Sequence, residues 1–322
     1  MRPILPDASP VIYLNYWSCI AIEIFTVART GGGELNQDVQ PWIDALELRS
    51  RRKLSRDEAA AVARLPIRSR RLAGDDHFSR EGDPSVRCAY VLEGALYQSK
   101  LTRGGARQII GLRLQHEFVG LQDILLQTGA HDVQALTACH LLEVDTGRLR
   151  ATLGEHPRIA EIFMADVMIA CSIAQDWIVN VGRRDAHSRV AHLLCELALR
   201  MKGRALSPGA TYILPLTQLQ LGDAVGLGRI AVNRVMRDLT QLGIASCDKS
   251  YITILDPSQL ENIGDFTARY LHLGQSERER RKSNRGTRIP EFASPLPCAA
   301  IECDDRRVVG IRDARQGGNR NH

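Results

Sequence analysis

One glycine between two short apolar repeats constrains this chain more than any other feature. In residues 216–239 (LTQLQLGDAVGLGRIAVNRVMRDL), Leu221 and Val225 stand four apart, and Val232, Val235 and Leu239 follow at three and four. Apolar residues at those intervals share one face of a helix. Gly226 falls between the repeats, where a tight turn needs a left-handed backbone that glycine adopts without steric cost. Gly222 leaves room for a close crossing, Leu227 is placed to plug the corner, and Thr217 supplies an N-cap hydroxyl. The segment is thereby committed to two short crossing helices, a helix-turn-helix.

The second of these helices, expected over residues 229–242, turns Arg229, Ile230, Asn233, Arg234 and Arg237 away from its apolar face. A helix face exposed only to solvent normally mixes both signs, yet no acid occurs here until Asp238. A guanidinium can grip guanine O6 and N7 with two hydrogen bonds, and asparagine can do the same for adenine. Arg229 and Arg234, nearest the N-terminal half, are expected at base edges. Arg237 and Thr217 suit phosphates, and Gln218 completes the set on the first helix. Residues 244–247 and 251–255 flank Asp248-Lys249-Ser250, which reads as a hairpin wing with Lys249 at its tip as a candidate phosphate contact.

Net charge does not announce this partner. The formal charge is +5 over 322 residues, and residues 274–322 alone hold eleven Lys/Arg against seven Asp/Glu. That tail is polar and Arg-rich without apolar pattern, the signature of disorder. The case for DNA therefore rests on the local arrangement of the helix.

Upstream, residues 37–65 read as short helices. From about 66 to 152 short runs (88–92, 95–101, 108–112 and 135–144) alternate with Gly and Asp turns, which suggests a β-sandwich or roll. After His156-Pro157 the pattern turns helical for about 25 residues. Phe163, Val167, Ala170, Ala174, Trp177 and Val181 are spaced 4, 3, 4, 3 and 4, an a/d seam expected to pair with a second copy. Gly182 ends or bends that helix, and another follows over about 185–201. General burial of a single helix would also explain apolar residues on two faces, but not so regular a seam.

In this order the elements resemble the Crp/Fnr family of bacterial transcription regulators. The resemblance runs from about residue 40 to 265 and is carried by Glu81-Gly82-Asp83, Val91-Leu92-Glu93-Gly94, Arg107-Gln108-Ile109, Phe118-Val119-Gly120-Leu121-Gln122, Gly182-Arg183-Arg184 and Val232-Asn233-Arg234. It implies an α+β fold: a cyclic-nucleotide-binding-like β-roll, a long dimerisation helix and a C-terminal winged helix-turn-helix. The expected organisation is an N-terminal extension over 1–34, the roll over 35–155, the dimerisation helix over 156–182, the DNA-binding domain over 183–273 and a disordered tail over 274–322. A homodimer on a two-fold symmetric DNA site, in contact with RNA polymerase, is what the resemblance implies.

The departures concern the signal. Members that bind cyclic AMP carry a Gly-Glu pair and a following Arg for the phosphate. Here the glutamate position is Leu121, and no Lys or Arg occurs over residues 114–147. A buried phosphate without a cation is costly, so cyclic AMP is not expected. Nor is the iron–sulfur cluster of oxygen-sensing members, since Cys19 is the only cysteine before Cys88. Ile230 stands where many members have Glu or Val.

Eight scattered cysteines show neither a metal-ligand spacing nor a disulfide framework, which favours a reducing cytoplasm. Residues 11–28 are mostly apolar, but Asn15, Ser18 and Glu23 interrupt them, and no membrane span is expected. Without a phosphate loop, a metal-binding His/Glu motif or a nucleophile motif, no catalytic residue and no metal ligand is expected. A second assignment makes the chain a sensor or scaffold that uses the β-roll without sequence-specific DNA binding. Salt-insensitive or absent DNA binding would favour it, because groove binding releases counterions.

Overall fold

The computed structural model describes residues 39–202, 206–248 and 251–273. The expected N-terminal extension, the Arg-rich tail and Lys249 lie outside those residues. Two helices come first, α1 (Gln40–Ser50) and α2 (Arg56–Ala63). A capping box starts α2: the Ser55 hydroxyl accepts from Glu58 N, and the Glu58 carboxylate accepts from Ser55 N at 2.7 Å. On α1, Trp42 is fully buried and donates its indole N–H to Leu142 O at 3.2 Å, which ties the helix to the sheet that follows.

That sheet belongs to a roll of eight strands: β1 (Arg68–Leu72), β2 (His77–Ser79), β3 (Arg87–Glu93), β4 (Leu96–Leu101), β5 (Arg107–Arg113), β6 (Phe118–Val119), β7 (Asp132–Ala135) and β8 (Cys139–Asp145). They form two antiparallel sheets, ordered β1-β8-β3-β6 and β2-β7-β4-β5. Alternate residues point to opposite faces. On β3, Ala89 and Val91 enter the roll interior, whereas Cys88 and Tyr90 join the outer cluster with Trp42, Phe118 and Phe163. A strand covered on both sides reads as a continuous apolar run, which is why residues 88–92 are legible in the sequence. The run at 135–144 is not one strand as expected. Ala135 ends β7 and Cys139 begins β8, and the chain changes sheet between them. Gly94 allows this change, since a Cβ there would lie 2.4 Å from Ala138 O.

The second sheet buries its outer face differently. Tyr97, Ile109, Leu112 and Leu114 share a core with Leu194, Leu221, Val225 and Val232 from the C-terminal half. Short α3 (Asp123–Leu126) and α4 (Thr146–Glu155) lead to α5 (Pro157–Arg183), which is 27 residues or about 40 Å long. Proline at its first turn needs no hydrogen-bond partner there. By length and composition α5 could cross a membrane. In this fold, however, its Asp166 and Asp176 pair with Arg49 and Arg184, and one side packs on the protein.

The packing of α5 divides the expected seam between the core and the surface. Phe163 lies in an aromatic cluster, 5.0 Å from Phe118, and Trp177 is buried with its indole N–H on Glu196 at 2.9 Å. Two members of the line, Phe163 and Trp177, are thus consumed within the chain. Val167, Ala170 and Val181 are half-buried and Ala174 is exposed. The apolar residues left exposed fall one position further on, at Met164, Met168, Cys171 and Ile178, with Val179 beside them.

Beyond α5 come α6 (Ala186–Lys202), β9 (Ala210–Ile213), α7 (Gln218–Val225), α8 (Arg229–Gln241), β10 (Ala245–Asp248), β11 (Tyr251–Ile254), α9 (Pro257–Ile263) and a 3-10 turn (Ala268–Leu271). The expected wing is a three-stranded sheet, ordered β10-β11-β9, with β9 supplying a strand that sequence patterning did not separate.

A buried polar centre joins these parts. Arg200 on α6 donates to Glu117 before β6 and to Glu196, both at 2.8 Å, and also to Leu112 O. Glu196 further accepts from Trp177 and from the Tyr270 hydroxyl at 2.9 Å. Burial opposes the Arg200 charge, but Glu117 and Glu196 hold its pKa above the ordinary range. Burial likewise raises Glu117, and Arg200 brings it below the usual carboxylate value. Removing the cation leaves Glu196 buried without its ion-pair partner and Glu117, whose side chain is 28% exposed, without its own. Arg200→Met should cost about 3–5 kcal/mol in denaturant unfolding, and adding Glu117→Gln should recover part of it. A loss under about 1 kcal/mol would show that water already screens the centre.

Candidate nucleic-acid interface

The two crossing helices owe their geometry to local chemistry. At the start of α7 the Thr217 hydroxyl accepts from Gln220 N at 3.2 Å, and Gln220 Oε1 accepts from Thr217 N at 2.9 Å. At its end Gly226 is left-handed, with φ 65°. Leu227 N then bonds Gly222 O at 3.0 Å. A Cβ on Gly222 would lie 2.5 Å from Leu227 O, so no larger residue fits this corner. The corner aims α8, whose Val232, Val235, Met236 and Leu239 are buried.

With that face fixed, the opposite face is determined. Arg229, Ile230, Arg234 and Arg237 are all exposed along α8, and Thr217 and Gln218 are exposed at the start of α7. Asn233 is only half-buried, and its Oδ1 is turned inward without a hydrogen-bond partner, so in this rotamer it does not present both amide atoms outward. The one acid of α8, Asp238, is held by His187 of α6 at 2.9 Å. The exposed surface is therefore cationic, with an isoleucine at its N-terminal end.

Contacts that sequence reasoning missed hold α7 against the roll. Arg107 on β5 donates Nε to Asp223 at 2.8 Å and Nη1 to the Tyr97 hydroxyl at 2.9 Å. Neighbouring Gln108 donates to Ala224 O at 3.2 Å. From α6, Arg189 reaches Val225 O and Gly226 O at 3.3 and 3.4 Å. The last carbonyls of α7, which lack intrahelical donors, are thus satisfied from two other elements. Nothing in residue spacing links Arg107 to a carboxylate 116 positions away.

The roll interior carries a polar cluster of its own. Gln98 Nε2 lies 2.6 Å from His131 Nε2, and Gln122 hydrogen-bonds the other ring nitrogen at 3.3 Å. The Ser85 hydroxyl donates to buried Asp123. Burial, then Arg113, lowers the His131 pKa to about 4, so the ring is neutral. Gln98 Oε1 comes within 2.8 Å of where a Gly111 Cβ would stand. Amides, a neutral imidazole and a carboxylate occupy this end of the roll. His77, His116 and His140 do not join His131, and no group of three or more His, Cys, Asp or Glu suited to a metal occurs among the described residues.

This fold and this cationic helix define a DNA-binding transcription regulator. Residues 188–263 match the profile of the Crp-like helix-turn-helix domain, and residues 69–156 match that of the cyclic nucleotide-binding domain. The chain belongs to the Crp/Fnr family. It is 28% identical over 207 residues to transcriptional activator protein anr of Pseudomonas aeruginosa, covering 64% of this chain and 84% of that protein. It is 29% identical over 197 residues to nitrogen fixation regulation protein FixK of Bradyrhizobium diazoefficiens, covering 59% and 78%. Among solved structures, FixK2 from Bradyrhizobium japonicum superposes with TM-score 0.58 at 24% identity, covering 63% of this chain and all of that one. A Crp/Fnr regulator from Thermus thermophilus gives 0.51 at 20% identity, covering 62% and 99%. These two share the fold.

The contact between Arg107 and Asp223 is testable without DNA. Arg107→Met and Asp223→Asn should each lower stability by about 1 kcal/mol. Combined, they should show a coupling energy of at least about 0.5 kcal/mol in a double-mutant cycle. Strict additivity in urea titrations would mean that the roll and α7 do not touch this way in solution.

Proposed function

We propose that the chain is a cytoplasmic homodimer that reads a two-fold symmetric DNA site, with α8 of each protomer in the major groove. The observation that carries this reading is the exposed row Arg229, Arg234 and Arg237 on a helix whose single acid is engaged by His187. Arg229 and Arg234, toward the N-terminal half of α8, serve base edges. Arg237, Thr217 and Gln218 serve phosphates, and Lys249, between β10 and β11 in the sequence, joins them.

The dimer contact in this reading is the exposed strip of α5. Met164, Met168, Cys171 and Ile178 repeat at 4, 3 and 7 residues, the spacing of a coiled-coil seam. Contact with RNA polymerase, and activation as in the activator anr, follow from kinship. No catalytic role is part of the reading. Arg113 and Lys100 act electrostatically on the polar cluster of the roll, but residues 114–147 add no cation and Asp123 adds a buried carboxylate, which disfavours a cyclic phosphate there.

Selection of bound duplexes from a random pool should yield a palindromic motif with half-site centres about one helical turn apart. Arg234→Ala should weaken binding to that site by about 1–3 kcal/mol and relax one position of the motif. If the protein selects nothing and its binding does not fall with salt, the sensor or scaffold assignment takes its place. Mild oxidation should link two chains through Cys171 and not in Cys171→Ser. A covalent dimer persisting in Cys171→Ser would move the interface away from this strip.

A further inference from the structure

Ile230 is 86% exposed, more than any other large apolar side chain among the described residues. Its position has no internal explanation. It is the second residue of α8, its side chain touches none of the core that Val232 and Val235 enter, and a β-branched residue adds nothing to helix formation there. Asn233 and Arg234 lie one turn on along the same side of the helix, and Arg229 precedes it. Whatever covers Ile230 must therefore accept guanidinium groups around a small apolar spot.

The major groove offers one such feature. Base edges there present mainly hydrogen-bonding groups, and the C5-methyl of thymine is their one methyl group. An isoleucine can satisfy none of the hydrogen-bonding groups, and beside a guanine, adenine or cytosine edge it would leave them desolvated and unpaired. Against a thymine methyl it loses nothing and buries apolar surface on both partners. We infer that Ile230 is a specificity-determining residue that selects a thymine in each half-site by packing on its 5-methyl group. The inference rests on the placement of α8 in the major groove proposed above and adds what that helix reads.

The test uses the full chain and the site selected from random duplexes. Each thymine of a half-site is replaced singly by deoxyuridine, which removes the methyl and keeps every hydrogen bond. One position per half-site should weaken wild-type binding about fourfold, the effect of one buried methyl group, and by about fifteenfold when both half-sites are changed. Ile230→Ala should bind thymine and deoxyuridine sites equally and should select a motif relaxed at that position alone. A selected half-site without thymine, uniform indifference of the wild type to deoxyuridine, or an equal methyl effect in wild type and Ile230→Ala would each overturn the inference. The wild-type measurement needs no variant, so a folding defect cannot mask the outcome. Undiminished binding by Arg234→Ala would instead count against the groove placement itself, whatever the methyl effect.

Discussion

Arg200 carries its charge where almost no water reaches, and the rest of the fold is arranged around keeping that charge matched. Glu117 comes from the roll, Glu196 from the same helix, and Trp177 and Tyr270 donate to Glu196 from α5 and from the C-terminal 3-10 turn. Each partner arrives from a different stretch of chain. A buried pair is weak as a source of net stability, since desolvation offsets much of the attraction. Its effect here is on geometry: displacing the roll leaves an unmatched charge, and displacing α5 or the 3-10 turn takes a hydrogen-bond donor from buried Glu196, so α5, α6 and the roll hold one register.

That register has a consequence for the surface. By drawing Trp177 inward at one end, with Phe163 drawn toward Phe118 at the other, the core sets the rotation of α5 about its axis. The strip left outward is displaced by one residue from the most regular apolar line in the sequence. The same logic acts on α7, where Arg107, Gln108 and Arg189 meet its C-terminal half. The helix-turn-helix is held on the roll while α8 keeps its cationic face free.

The helix-turn-helix was legible because its constraints are local. Capping by Thr217, the left-handed Gly226 and the apolar triplet Val232, Val235 and Leu239 act within a few residues of one another. The exposed set Arg229, Ile230, Arg234 and Arg237 follows by elimination. Much of the roll was legible as well, where strands such as β3 are covered on both faces. Strands with mixed faces, such as β1 with its RSRRL and the short β2 and β9, were not, because their partners come from far along the chain. Asn233 illustrates a finer limit: spacing puts it beside Arg234, but the rotamer turns Oδ1 inward.

Sequence alone determined the turn chemistry, the identity of the cationic helix and the residues it displays, since each depends on neighbours within one or two helical turns. It also determined that α5 would be long and apolar. Tertiary structure alone decided which side of α5 is spent internally, and which charges end as buried pairs rather than exposed contacts. A helical repeat of about 3.6 residues per turn says which residues share a face, but not what that face will meet. That depends on the packing of aromatic rings and the matching of charges from segments far apart along the chain.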